Sequence, residues 1–456
     1  MSEAHQTENH DEEITRPLAD HAMSLSFDDL PQNTVEVAKH CILDWLGVTI
    51  AGRPEPLTEI LIDHALAEGS APQATLIGDG RKVSVTQAAL INGSASHALD
   101  FDDVQQRFHG HPTAPVAPVL LALAENSGAN GRDVIAALVA GVEVECRINV
   151  FMGDSHYEEG WHSTATNGTF GAAVGASHLF SFDGEQCALA MGVAGTQAAG
   201  LRSMFGTMCK PLHAGKAAQN GLFAAQLVGR GFTSRPDVLE RPLGFGDTQS
   251  QGTNITAALD DLGTRYEINS VLFKYHAACH GVHATIDALQ AIAANQSVDT
   301  QDVEHVDVAV QSEYMNICGI DRPETGLEGK FSLRFCAALA LAGEDTASTD
   351  TYSDSSVKSP RLVELTNKTK ITAKPDMPMK VADVAVRMRD GVVHRLRGNV
   401  GIPAEDLEAQ WTKLVAKFRS CAVPVIGSSK AERVIDIVQG LERADNIHDL
   451  MQACSP

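Results

Sequence analysis

The feature that most constrains the fold is a run of small apolar residues between positions 168 and 231. Its segments GTFGAAVGASHLF, CALAMGVAGTQAAG and GKAAQNGLFAAQLVGRG are rich in glycine and alanine and apolar on several faces. A helix that is apolar all round is a buried helix, and small side chains let helices approach closely. Polar residues interrupt each segment, which argues against a membrane span. The run therefore predicts the core of a helical domain.

Helical periodicity continues on both sides of this run, and a segment that includes strand-like alternation separates the two helical parts. Apolar residues recur at helical spacing over 33–47, where Gly47 is predicted to end the helix, and over 85–97, 115–125 and 133–153. A further helix is predicted over 283–294. The alternation in 305–311 predicts a strand, and 382–398 predicts two strands around the turn Arg389-Asp390-Gly391. Helical patterns return at 404–419 and 431–441.

These patterns predict a mainly α protein with a smaller α+β domain. The predicted organisation is a disordered tail at 1–16, a helical domain at 17–267, an α+β domain at 268–400 and C-terminal helices at 401–456. The last helices are expected to dock back onto the first domain. We expect the polar tail to be disordered because it lacks the apolar residues that a core needs.

Charge and composition exclude several classes of function. The formal net charge of the 456 residues is −23, which argues against nucleic-acid and anionic-membrane partners. Nine cysteines without a CxxC pair and a polar N-terminal segment without an apolar stretch predict reduced thiols and a cytoplasmic location. The sequence has no GxGxxG, Walker A, HExxH or GxSxG motif. We therefore expect no nucleotide, flavin or iron–sulfur cofactor.

The first cluster of reactive side chains lies in HALDFDDV (97–104) and FHGHPT (108–113). Asp100, Asp102, Asp103, His109 and His111 are more ionisable groups than a connecting loop needs, and loops display functional groups. The alternatives are a helix cap formed by an aspartate and a metal site, since HxH beside DxD supplies imidazole and carboxylate ligands.

Two further segments place reactive groups beside the small-residue core. In GWHSTAT (160–166), His162 opens a buried helix, where burial and the helix dipole lower the pKa of an imidazole. The alternative is a core histidine bonded to a backbone carbonyl. In FGTMCKPLHAG (205–215), Lys210 has an apolar setting and needs a counter-charge, which a substrate carboxylate would supply. Arg202 is a candidate second clamp, or a surface residue.

The fourth segment, KYHAACHGVH (274–283), opens the second domain with a cation, a thiol and imidazoles. A cysteine beside a histidine suggests a nucleophile. No Asn or Asp partner is identifiable, however, and a cysteine hydrolase is disfavoured. EGKFS (328–332) is a weaker candidate for the same site.

Together these segments resemble the MmgE/PrpD family, which includes 2-methylcitrate dehydratase, cis-aconitate decarboxylase and iminodisuccinate epimerase. The matching stretches occur in family order from about Pro17 onward: HALDFDD, GHP, GWH, GTMCKPLHAG, KYHAACHGVH and TGLEGKFS. The resemblance implies a large all-helical domain with an inserted α+β lid, a homodimer, no metal and no cofactor. It also implies an active site in the cleft, lined by Asp100, His111, His162, Lys210 and Lys274.

The sequence departs from the family pattern at three positions. Val104 stands where many members carry Thr, and Thr113 follows GHP where methylcitrate dehydratases continue with Ser-Asp-Asn. Cys279 stands where the decarboxylase branch has His, which counts against cis-aconitate decarboxylation. The resemblance therefore indicates the family more sharply than the reaction.

The family's reactions form or quench a carbanion next to a carboxylate, which needs cations where charge develops. Catalysis is assigned to Asp100, His111, His162 and Lys210, with the two histidines as general acid and base in an unassigned order. Substrate binding is assigned to Lys274, Arg202, Cys279 and His283. The expected activity is a cofactor-independent lyase of hydro-lyase type, or an isomerase, acting on a small anionic di- or tricarboxylic acid. Dehydration is favoured, and epimerisation or decarboxylation is the alternative within the family. A metal-dependent hydrolase using His109, His111 and Asp102, or a non-catalytic binding protein, is the alternative of another class.

Overall fold

A computed structural model describes residues 13–296 and 298–456. These residues form two compact units. The first contains the described residues up to Val271 together with Asp406–Pro456, and the second is Leu272–Glu405. The second unit is therefore an insertion in the sequence of the first.

Most of the described chain is helical. The α-helices are α1 Thr15–Ser24, α2 Gln32–Ala51, α3 Pro56–Glu68, α4 Val85–His97, α5 Thr113–Ser127, α6 Gly131–Glu158, α7 Ser163–Leu179, α8 Gly184–Gly195, α9 Cys209–Val228, α10 Phe245–Gln249, α11 Ile255–Leu259, α12 His283–Gln296, α13 Tyr314–Cys318, α14 Gly326–Gly329, α15 Leu333–Ala342, α16 Asp354–Val357, α17 Pro360–Lys368, α18 Leu407–Ile426, α19 Ser428–Gln439 and α20 His448–Ala453. The strands are β1 Ala74–Thr75, β2 Lys82–Val83, β3 Val104–Gln105, β4 Val271–Leu272, β5 Val303–Gln311, β6 Thr369–Lys374, β7 Val381–Met388 and β8 Val393–Asn399.

The small-residue run forms the centre of the first unit, as predicted. Helix α7 packs against α5, α6, α8 and α9, and its residues 163–177 are all buried. A helix surrounded on every side has no solvent face, which explains why small, uncharged residues occur all round α7 up to Ser177.

A glycine contact brings together the two helices that carry the site. Helices α4 and α9 cross where a Cβ built at Gly93 would lie 3.0 Å from the Cα of Gly215. A Cβ at Gly215 would overlap the carbonyl oxygen of Leu90 and the side chain of Ser94. Because α4 ends at His97 and α9 begins at Cys209, this close approach sets the spacing of the reactive groups at the helix ends.

Replacing Gly215 with alanine is expected to lower the free energy of unfolding by about 1–3 kcal/mol, because the added methyl group forces the two backbones apart. The matched control is Gly252→Ala, since a Cβ there meets nothing within 4 Å. Urea unfolding followed by circular dichroism measures both variants. Equal stabilities for the two would show that the α4–α9 contact is not as tight as described.

The C-terminal helices belong to the first unit, with α18 packed along α2. The prediction that a helix ends at Gly47 is wrong, because α2 continues to Ala51. A Cβ at Gly47 would lie 3.0 Å from Cδ2 of Phe418. The glycine therefore makes room for α18 and does not end the helix.

The predicted tail, 1–16, is too long at its end, because α1 begins at Thr15. Ile14 and Thr15 are buried, and the backbone N–H of each donates to the Glu240 side chain. The part of the predicted tail at 1–12 lies outside the described residues.

The second unit contains a four-stranded sheet in the order β6-β5-β7-β8. Strands β5 and β6 are parallel, with Val306 opposite Thr369, whereas β5–β7 and β7–β8 are antiparallel. The predicted strand and hairpin are confirmed, and the turn has Gly391 at φ 91°. Helix α12 packs on β7 and β8 and also contacts α15.

The mainly α fold class is therefore confirmed, with the four-stranded sheet in the C-terminal part of the chain. Among the described residues, every helix is too short or too polar to cross a bilayer.

Candidate active site

The first group of reactive side chains lies on the loop between α4 and α5. His97 is the last residue of α4, and Asp100 follows with φ 51°, a left-handed conformation that is uncommon for residues other than glycine. Gln105 and Gly110 pair across the loop, with the Gln105 N–H donating to the Gly110 carbonyl over 3.0 Å. This folded loop brings His111 back beside His97, with ring centroids 4.5 Å apart.

The carboxylate of Asp102 lies between two imidazoles. Its oxygens are 2.8 and 3.0 Å from Nδ1 of His97, and one of them is 3.2 Å from Nδ1 of His111. Burial acts to raise the pKa of Asp102, but the electrostatic interactions and hydrogen bonds with His111 and His97 outweigh burial and hold this pKa well below its usual range. Burial lowers the pKa of His97 to about 4. Asp102 is therefore ionised and fixes the proton of the neutral His97 ring on Nδ1.

A second carboxylate connects the loop to helix α9. Oδ1 of Asp100 accepts a hydrogen bond of 2.8 Å from Nζ of Lys210 and lies 3.6 Å from Nε2 of His111. Asp100 and Lys210 keep 34% and 18% of their side-chain surface exposed. Unlike Asp102, this pair is open to a small molecule from solution.

The third group surrounds His162, which precedes α7. Its backbone N–H donates to the carbonyl of Gly200 over 3.0 Å. Its Nδ1 lies 3.1 Å from Nδ1 of His213, and the ring of Phe205 packs edge-on at 4.9 Å between centroids. Burial is the main cause that lowers the pKa of His162 well below its ordinary value, and nearby His97, Lys210 and His111 lower it further. His162 is therefore neutral at pH 7 and able to accept a proton.

The far side of the loop is held by a buried polar network. Glu267 is fully buried, and its carboxylate accepts hydrogen bonds of 2.7 Å from Arg107 and 3.0 Å from Gln105. Asn149 donates to the Arg107 carbonyl over 2.7 Å. A carboxylate without charge partners would be costly at this depth, so these bonds fix the loop as well as satisfy Glu267.

Asp103 points away from this group and caps α5. It accepts bonds from the N–H and the hydroxyl of Thr113, which fits the helix-cap alternative. Burial raises the pKa of Asp103 to about 7, and the negative charges of Asp44 and Asp102 add to the shift.

The stability of the protein is expected to depend on pH through Asp103. The native state keeps this proton up to about pH 7, whereas the unfolded chain releases it near pH 4. The stabilisation is therefore complete below about pH 4 and is lost as the pH rises to about 7. Asp103→Asn removes this titration, so its stability relative to the parent should rise by roughly 2–4 kcal/mol between pH 4 and pH 7. Urea unfolding at both pH values measures it, and a constant difference would contradict it.

Four side chains of the site form a group with the spacing of a cation site. One ligand atom each from His97, Asp100, Asp102 and His111 lies within 4.8 Å of the others. His109, which the metal hypothesis includes, is not in this group and has Asp154 at 3.6 Å. Lys210 already places a positive charge on Asp100, which weakens the case for a metal ion there.

The structure brings together Asp100, His111, His162 and Lys210 of the predicted site. Arg202 is close in sequence to this group, but its guanidinium donates to the carbonyl of Tyr157 over 2.6 Å and stacks on that ring. Arg202 therefore stays a predicted binding residue for a substrate carboxylate, and the Tyr157 carbonyl already uses part of its hydrogen-bonding capacity.

The other predicted binding residues lie in the second unit. Lys274 and His283 are buried, and Cys279 is half-buried. Burial lowers the pKa of His283 well below its ordinary value, and its Nε2 lies 3.1 Å from the carbonyl of Ala278. The Cys279 N–H donates to the Lys330 carbonyl over 3.1 Å, so EGKFS lies beside KYHAACHGVH. Roles in binding stay predictions for all three.

Sequence reasoning assigned no role to His97, His213 or Phe205. A signal was present for His213, because it follows Lys210 by three residues and so shares its face of α9. The pairing of His97 with Asp102 depends on how the loop folds, which no spacing rule predicts.

The helical unit holds a desolvated imidazole, an Asp–His pair and an accessible lysine, which are groups suited to proton transfer beside an anionic ligand. The sequence matches the MmgE/PrpD N-terminal domain over residues 16–258 and the MmgE/PrpD C-terminal domain over residues 276–443. The chain belongs to the MmgE/PrpD family.

Several cis-aconitate decarboxylases are similar to this chain over nearly the whole length of both proteins. The enzyme of Aspergillus terreus is 24% identical over 469 residues, which cover 96% of this chain and 95% of the relative. The human enzyme is 26% identical over 455 residues, covering 94% and 92%. A cis-aconitate decarboxylase-like protein of Aspergillus oryzae is 27% identical over 479 residues, covering 97% of each chain. These matches support a lyase of the dehydratase or decarboxylase kind.

Proposed function

We propose that this protein is a cofactor-independent lyase that removes a proton next to a carboxylate of a small di- or tricarboxylic acid. The observation that carries the proposal is the grouping of a neutral buried His162 with the Asp100–Lys210 pair. A C–H group next to a carboxylate is a weak acid, so the site must supply both a base for the proton and a cation for the developing negative charge. These residues provide both.

In this mechanism His162 accepts the proton, because burial keeps it neutral. His111 serves as the acid, with its Nδ1 3.2 Å from Asp102 and its Nε2 3.6 Å from Asp100. Lys210 binds the substrate carboxylate and neutralises charge as it develops. In a dehydration, the electron pair left by the proton forms the double bond as hydroxide leaves with the proton of His111.

Decarboxylation is the second candidate, favoured by the relatives named cis-aconitate decarboxylases. The electron pair of the broken carbon–carboxylate bond would then be protonated by an imidazole as carbon dioxide leaves. Cys279 stands where, by the family resemblance, the decarboxylase branch has His, which counts against cis-aconitate decarboxylation. The resemblance also predicts a homodimer, which light scattering of the purified protein tests, and the cysteine pattern predicts a cytoplasmic location.

Proton NMR in D₂O tests the proposal with citrate-like, aconitate-like and amino-dicarboxylate acids. Deuterium next to a carboxylate, insensitive to a chelator, is the expected result. Alkene formation indicates dehydration, carbon dioxide release indicates decarboxylation, and exchange with inversion indicates epimerisation. Absence of exchange and of product with every acid would overturn the proposal, and loss of turnover on chelation would favour the metal-dependent alternative.

A further inference from the structure

A buried lysine from the C-terminal helix α18 contacts the backbone of the site loop. Nζ of Lys417 donates to the Phe101 carbonyl over 2.7 Å and lies 4.0 Å from the centre of the Phe101 ring. The same ammonium forms an ion pair of 2.6 Å with Asp44 of α2. All three side chains are almost completely buried. Lysine is rarely buried to this degree without a specific partner.

The residue that Lys417 contacts stands between the two carboxylates of the site. Phe101 separates Asp100 from Asp102, so the direction of its carbonyl sets the orientation of the chain on both sides. Asp100 has a left-handed backbone with φ 51°. Such a conformation persists only where surrounding contacts enforce it. The hydrogen bond and the ring contact from one ammonium fix both the peptide and the side chain of Phe101.

We propose that Lys417 is a positioning residue that holds Asp100 and Asp102 in the geometry needed for proton transfer. The ion pair with Asp44 holds the ammonium against the loop. The effect on catalysis rests on the proposed function, whereas the effect on the loop does not. The competing explanation is that Lys417 and Asp44 only join α18 to α2, in which case their loss would weaken the whole unit without loosening the loop selectively.

Lys417→Met removes the donor but leaves the Asp44 carboxylate buried without this cation. The double variant Asp44→Asn/Lys417→Met is therefore made as well, because it removes both charges from the interior. The matched control is Lys413→Met, one turn earlier on α18 and exposed. Hydrogen exchange measured by mass spectrometry compares peptides covering 98–104 with peptides from the core of α7. Turnover is measured in parallel with the acid that exchanges in the NMR panel.

We expect exchange in 98–104 to quicken by about tenfold in the double variant, with α7 unchanged. We also expect kcat to fall by about 10–100-fold with little change in KM, because misplaced groups act on the transition state. Lys413→Met should match the parent in both. Unchanged exchange at 98–104, or an equal rise in α7, would overturn the proposal. Faster exchange in the loop without any activity in the parent protein would leave the positioning role standing and refute the proposed function instead.

Discussion

His162→Gln is expected to lower kcat by at least about 10²-fold, because the general base is lost while a side chain of similar size remains. Deuterium exchange at the substrate carbon should fall in parallel, since the variant cannot remove the proton. The measurement is turnover and NMR exchange with the acid that the parent protein converts. Folding is checked by circular dichroism.

His64→Gln is the control for this variant, since His64 is a surface histidine with 66% of its side chain exposed. It should keep the activity of the parent. Near-normal turnover in His162→Gln would remove His162 from the mechanism and transfer the role of base to His111.

Lys210→Met is expected to lower kcat/KM by about 10²–10³-fold, because one preorganised cation at a developing charge has an effect of that size. Asp100 also loses its 2.8 Å partner, so its negative charge is less compensated and disfavours an anionic substrate. Steady-state kinetics over a range of substrate concentrations measures the effect. Both kcat and KM should change, since Lys210 binds the carboxylate before the reaction and stabilises charge during it.

Lys216→Met provides the comparison on the same helix, since Lys216 is exposed on α9 and its Nζ bonds to the Gln219 side chain. Its kinetics should match those of the parent. A Lys210→Met variant that binds and turns over substrate normally would place the anion-binding group elsewhere.

The helices that carry the site were largely predictable from sequence. Helix α4 has the bounds that its periodicity predicts, and the small-residue run forms the buried α7 together with α8 and the partly buried α9. The local sequence pattern was sufficient to predict these helices, because the apolar residues of one helix face recur within a few positions. It failed at Gly47, where the reason for the glycine is a contact with Phe418 on a distant helix.

The site was predictable as a set of residues but not as a geometry. The resemblance to the family, and not their spacing, selected Asp100, His111, His162 and Lys210. A motif treats neighbouring aspartates as equivalent, whereas the folded loop gives each of them a different role. Asp102 bonds His97, while Asp103 caps α5. The contact of Lys417 with the loop could not be predicted from sequence, because a single lysine in an amphipathic helix is expected to lie on the surface.

The bond from Lys417 to Phe101 spans 316 positions of sequence, and this distance affects the order of events during synthesis. Chains fold progressively as they leave the ribosome, and contacts between distant segments form slowly. The loop with its two carboxylates is made long before the helix that fastens it. We expect a nascent chain to collapse around its small-residue core before α18 is made and can fix the loop. Under the proposed function, the loop therefore reaches its reactive geometry only after α18 has been made.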